Sequence, residues 1–123
     1  MVYKIALVED DKAIQTMYRF KLEQMGFEVH SAFNGEEGYE LVEKIRPDLI
    51  LLDLKMPIMT GEKMLELVRK TDWGSEIKVI VLTNVSKDEA PAILRVLHVD
   101  RYVVKVQHTP SQVIEIIDSV LEP

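Results

Sequence analysis

The chain reads Leu49-Ile50-Leu51-Leu52-Asp53, four aliphatic residues running straight into an acid. The same pattern stands near the start as Ile5-Ala6-Leu7-Val8-Glu9-Asp10. Unbroken apolar runs of this length mark strands buried on both faces, as in a parallel sheet covered by helices. In such a sheet the crossovers are right-handed and the C-terminal strand ends share one edge, where ligands bind. Glu9, Asp10 and Asp53 are therefore expected to converge.

Working outward, apolar runs at Val79 to Leu82 and Tyr102 to Val104, with a mixed run at Glu28 to Ala32, complete five strands. Ile14, Met17, Tyr18, Leu22 and Met25 recur at the three-and-four spacing of a helix with one apolar stripe, as do Val113, Ile114, Ile117, Val120 and Leu121. Gly26 suits the end of the first helix, Asn34-Gly35 turns into the second, and Pro47 stops it. Thr109, Pro110 and Gln112 form a capping box with proline at the first helical position. The expected order is strand then helix, five times. That gives a doubly wound, three-layer α/β domain with a five-stranded parallel sheet in the order 2-1-3-4-5.

The 123 residues suit a single domain over residues 1–123, with no repeat or low-complexity segment. No apolar run approaches the roughly 20 residues needed to span a bilayer, so the chain reads as soluble and cytoplasmic, without a membrane partner. The absence of cysteine excludes disulfides, thiolate metal sites and cysteine nucleophiles, leaving oxygen and imidazole chemistry. A net charge of −6 opposes attraction to nucleic acid phosphates, so direct nucleic acid binding by this domain is not expected.

Paired carboxylates at a strand end repel, and a hard cation such as Mg²⁺ relieves that repulsion while taking oxygen ligands. A metal so placed prepares phosphoryl transfer, in which a carboxylate nucleophile needs a further cation beside the transferred oxygens. Lys105, ending the fifth strand, is a candidate for that cation. Thr83, ending the fourth, offers a hydroxyl to a phosphoryl oxygen. Asp11 reads more simply as a helix N-cap, and His30, His98 and His108 show no metal-ligand spacing.

From Val2 to about Leu121 the chain resembles the response-regulator receiver domain of two-component signalling, a CheY-like, flavodoxin-like superfamily. The resemblance rests on Val8-Glu9-Asp10-Asp11, on Asp53-Leu54-Lys55-Met56-Pro57-Ile58-Met59-Thr60-Gly61, on Leu82-Thr83 and on Tyr102-Val103-Val104-Lys105. It implies that Asp53 accepts a phosphoryl group from the phosphohistidine of a sensor histidine kinase or from a phosphotransfer protein. It implies metal ligation by Asp10, Asp53 and the Lys55 backbone carbonyl, with Glu9 acting through water, and Mg²⁺ as the cofactor or Mn²⁺ in its place. Lys105 would hold the phosphoryl group, Thr83 would swing towards it, and Tyr102 would be the coupled aromatic switch. The switched face would be the fourth helix, fifth strand and fifth helix, signalling to a downstream protein, to an attached output domain or through a phosphorylation-dependent dimer. Such a chain is a phosphoacceptor switch that assists its own phosphorylation and dephosphorylation, not an enzyme with a separate substrate.

The sequence departs from the family pattern in several places. Val106 follows the lysine where proline is usual, which predicts a trans Lys105-Val106 peptide. Asp100-Arg101 stands where the family often has Gly-Ala, predicting an altered turn and a surface ion pair. Asn84 is larger than the usual small residue, which bears on access to Asp53, and Thr60 replaces a common Asp. Neither Lys55 nor Val85 offers a carboxylate or amide to orient water, so slow self-dephosphorylation is expected. Two other readings compete: a phosphorylation-independent pseudo-receiver binding module, and a small phosphatase with an aspartyl nucleophile. The complete residue set opposes the first. The second would carry an Asp-x-Asp motif after the first strand and a cap domain.

Overall fold

A computed structural model describes residues 2–123. Its sheet contains β1 (Lys4–Val8), β2 (Glu28–Ala32), β3 (Leu49–Leu52), β4 (Lys78–Thr83) and β5 (Arg101–Val104), all parallel, in the order 2-1-3-4-5. Successive side chains point to opposite faces, so each aliphatic run feeds two cores. Ala6, Val8, Ile50 and Leu52 pack on one side with Val42, Met64 and Val68. Ile5, Leu7, Leu49 and Leu51 pack on the other with Tyr18, Leu22, Val113 and Ile117.

The helices start where the local chemistry starts them. Asp11, Asn34, Thr60 and Thr109 each accept the backbone N–H three residues on, capping α1 (Lys12–Gln24), α2 (Gly35–Ile45), α3 (Gly61–Arg69) and α4 (Pro110–Leu121). The Thr109–Gln112 capping box forms in both directions. Thr60, in place of the common Asp, performs the same capping through its hydroxyl. Gly26 takes a left-handed turn, φ 93°, just after α1.

The fourth crossover departs from the expected helix. It contains two short 3₁₀ segments, Lys87–Glu89 and Ala92–Val96, so the described residues hold four α-helices, not five. The cause is Pro91. It has no N–H to donate and disfavours helical backbone in the residue before it; Ala90 and Pro91 are extended, with ψ of 142° and 131°.

With no long helix there, Arg69 anchors the crossover's far end. Its guanidinium donates to the carbonyls of Leu97 (2.7 Å), His98 (2.8 Å), Ile77 (2.8 Å) and Gly74 (2.9 Å). The left-handed residue before β5 is His98, φ 56°, two positions ahead of Asp100. Asp100 accepts the Val79 N–H at 2.8 Å, and among the described residues Arg101 makes no ion pair, contrary to the expectation for this turn.

Candidate functional site

Register places the site. Val8 pairs with Leu52, so Glu9 and Asp53 leave adjacent strands at one level; Thr83 pairs with Val104, so Lys105 follows at the same edge. A carboxylate oxygen from each of Glu9, Asp10 and Asp53 lies within 4.8 Å of the others. This all-oxygen donor set suits a hard divalent cation.

Lys105 joins the acids. Its Nζ lies 2.6 Å from Glu9 Oε1 and 3.1 Å from Asp53 Oδ2. The other oxygen of Asp53 accepts the Leu54 N–H at 2.7 Å, and the other oxygen of Glu9 accepts the Asp11 N–H at 3.0 Å. Burial pushes the Glu9 carboxyl up to about 7, against the hydrogen bonds from Lys105 and the Asp11 amide, with the Asp53 charge pushing the same way as burial. Burial also works against the Lys105 charge. There the hydrogen bond to Glu9 and the charges of Asp53 and Glu9 prevail, holding the ammonium above the ordinary lysine range.

Beside Asp53 opens a cleft of about 400 Å³ lined by Lys55, Thr83, Asn84, Val85, Glu89 and Lys105. Asn84 is exposed on its wall and leaves it open. Thr83 is buried, and its Oγ1 accepts the Val85 N–H at 3.3 Å. The half-buried Tyr102 donates its hydroxyl to the Val85 carbonyl at 2.7 Å. Thr83 and Tyr102 are thus linked through both polar groups of one backbone residue. No described peptide bond is cis, so Lys105-Val106 is trans as expected.

Two supports escaped the sequence reading. Gln15 is buried, and its amide donates to the carbonyls of Glu9 (3.0 Å) and Ala32 (2.9 Å), fixing the acidic turn to the end of β2. The available signal was a polar residue three before Tyr18 and seven before Leu22, on the buried stripe of α1. Gly61 supports Asp53 from below: a Cβ there would stand 2.0 Å from the Asp53 carbonyl oxygen, so only glycine admits this approach.

No described histidine joins the group formed by Glu9, Asp10 and Asp53: His30 pairs with Glu28, and His108 Nδ1 lies 3.2 Å from the Val104 carbonyl. Trp73 covers the end of α2, with the Arg46 guanidinium 4.6 Å from its ring centroid.

Among solved structures, the fold is similar to chemotaxis protein CheY4 of Vibrio cholerae, with a TM-score of 0.90 and 26% identity over 98% of this chain and 100% of that one. In sequence, the chain is 36% identical to the transcriptional regulatory protein AfsQ1 of Streptomyces coelicolor over 82% of its own length. It is 32% identical to the phosphate regulon transcriptional regulatory protein PhoB of Rhizobium meliloti over 90% of its length. It spans 44% and 49% of those two relatives. Residues 5–118 match the response regulator receiver domain, and the chain belongs to that family. Receivers are signalling modules of two-component systems, and their standard function is phosphorylation-dependent switching.

Proposed function

We propose that Asp53 is the phosphoacceptor of this receiver and that Lys105 and Thr83 bind the phosphoryl group it acquires. The observation that carries the reading is the Lys105 ammonium 3.1 Å from Asp53, beside an open cleft whose wall includes Thr83. Glu9, Asp10, Asp53 and the Lys55 backbone carbonyl are the groups that would hold Mg²⁺, or Mn²⁺ in its place, and the bound ion supplies positive charge to the transferring phosphoryl oxygens. Both Glu9 oxygens already have partners, which favours its acting on the ion through water.

The donor is a phosphohistidine of a sensor kinase or phosphotransfer protein. An Asp53 carboxylate oxygen forms the new bond to phosphorus while the N–P bond breaks, its electron pair returning to the imidazole. Lys105 neutralises the incoming oxygens. Thr83 then turns its hydroxyl from the Val85 amide to the phosphoryl group, and the Val85 carbonyl transmits that movement to Tyr102. The fourth crossover, β5 and α4 form the output face, read by a downstream protein, an attached output domain or a second phosphorylated copy.

Residues 1–123 act as one receiver unit that assists its own modification and has no separate substrate. Among the described residues no helix is long and apolar enough to cross a membrane. We place the protein in the cytoplasm, where its kinase partner would be met.

Intact mass after incubation with acetyl phosphate and Mg²⁺, for the native chain and Asp53→Asn, tests the assignment. The expected result is one added phosphoryl group that requires both Mg²⁺ and Asp53. No gain despite Mg²⁺ binding would assign the phosphorylation-independent module instead.

A further inference from the structure

The cleft beside Asp53 contains a carboxylate that the family motifs do not include. Among the described residues lining it, Glu89 is the one acid besides Asp53. The short 3₁₀ turn Lys87–Glu89, closed by hydrogen bonds from the Glu89 N–H to the Ser86 carbonyl (3.0 Å) and from the Ala90 N–H to the Lys87 carbonyl (3.2 Å), keeps Glu89 at that wall. Pro91 ends the turn. The Ser86 hydroxyl donates to Glu89 Oε1 at 3.1 Å and ties that oxygen to its own loop. Glu89 forms no ion pair among the described residues, so Oε2 is free to accept a further hydrogen bond.

The other lining groups are poorly suited to receive a water proton. Lys55 and Lys105 are cations, Val85 is apolar, Thr83 is assigned to the phosphoryl oxygens, and the Asn84 amide can accept a hydrogen bond from water but is too weak a base to take its proton. We propose that Glu89 orients the water that hydrolyses the Asp53 acyl phosphate; this rests on Asp53 being the phosphoacceptor.

The water oxygen attacks phosphorus as the bond from phosphorus to the Asp53 carboxylate oxygen breaks. The leaving electron pair restores the Asp53 carboxylate. The water proton passes to Glu89 Oε2 and on to solvent, and inorganic phosphate departs. Glu89 thereby fills the role that Lys55 and Val85 leave open, and self-dephosphorylation is faster than their side chains alone imply.

The test separates loading from loss. The native chain, Glu89→Ala, Glu89→Gln and Asn84→Ala are phosphorylated with acetyl phosphate and Mg²⁺, freed of donor, and followed by intact mass. The expected result is similar loading in all four and a half-life at least about tenfold longer in Glu89→Ala. That is below the roughly 10²-fold a positioned acid–base group commonly supplies, because Glu89 is solvent-exposed. Glu89→Gln should fall between native and Glu89→Ala, since its amide oxygen still accepts from water. Equal half-lives in the native chain and Glu89→Ala would overturn the proposal, as would lengthening in Asn84→Ala alone. A native chain that acquires no phosphoryl group would instead remove the phosphoacceptor assignment beneath it.

Discussion

The Tyr102 hydroxyl donates a 2.7 Å hydrogen bond to the Val85 carbonyl, while the Val85 N–H donates to Thr83 Oγ1 at 3.3 Å. Movement of Thr83 therefore acts on the backbone residue that holds Tyr102. Burial raises the Tyr102 phenol above its ordinary range, with the Asp53 and Glu62 charges adding, so the hydroxyl stays a donor at neutral pH.

Tyr102→Phe should remove this link and leave the Val85 carbonyl without its partner, costing about 1 kcal/mol by urea unfolding. Loading of Asp53 should persist, because Tyr102 contributes nothing to the cleft lining. Amide exchange would register the lost coupling. Phosphorylation should protect residues 85–90 less in Tyr102→Phe than in the native chain, and equal protection would exclude Val85 as the relay.

Glu9 makes stability depend on pH. Its folded carboxyl, pushed up to about 7 chiefly by burial, holds a proton more tightly than in the unfolded chain. Its contribution is fully present below the unfolded value and is lost as pH rises through about 7. Glu9→Gln should therefore gain on the native chain by on the order of 1–3 kcal/mol between about pH 5 and pH 8, read from urea midpoints in the absence of Mg²⁺. Mg²⁺ binding should release protons near neutral pH, because the ion favours the ionised acid. Calorimetry in two buffers of different ionisation enthalpy measures that release.

The convergence of Glu9, Asp10, Asp53, Thr83 and Lys105 was legible because each acid, hydroxyl or amine ends a strand or lies within two residues after one, and the parallel order fixes where strands end. Helix starts were legible because Asn34 and Thr109 are local signals. The fourth helix was expected only because strand and helix alternate along the rest of the chain, and Pro91 interrupts it. Gln15 stood out only as a polar residue on the buried stripe of α1, and Arg69 not at all, because their partners are backbone carbonyls, which no side-chain pattern identifies.

Arg69 connects the α3–β4 turn to the end of the fourth crossover through four carbonyls. Arg69→Ala should destabilise the chain by about 3 kcal/mol, since charge-assisted bonds are lost and several part-buried carbonyls lose their partner. Arg69→Lys should recover less than half, because one ammonium cannot reproduce the planar fork. Urea unfolding of the two variants decides this, and full rescue by lysine would show that charge alone was at work.

Pro91→Ala should restore the helix that the flanking sequence encodes. Ser86 already stands at the N-cap, and Leu94 and Leu97 are already buried, so the missing N–H and the constraint on Ala90 are what oppose helical backbone. Removing proline from a helix interior relieves about 3 kcal/mol, more than the roughly 0.4–1 kcal/mol it contributes by stiffening the unfolded chain. The expected readout is a more negative ellipticity at 222 nm, with slower amide exchange over residues 90–96. An unchanged spectrum would mean that the Arg69 anchor at Leu97 and His98, rather than Pro91, dictates the open crossover.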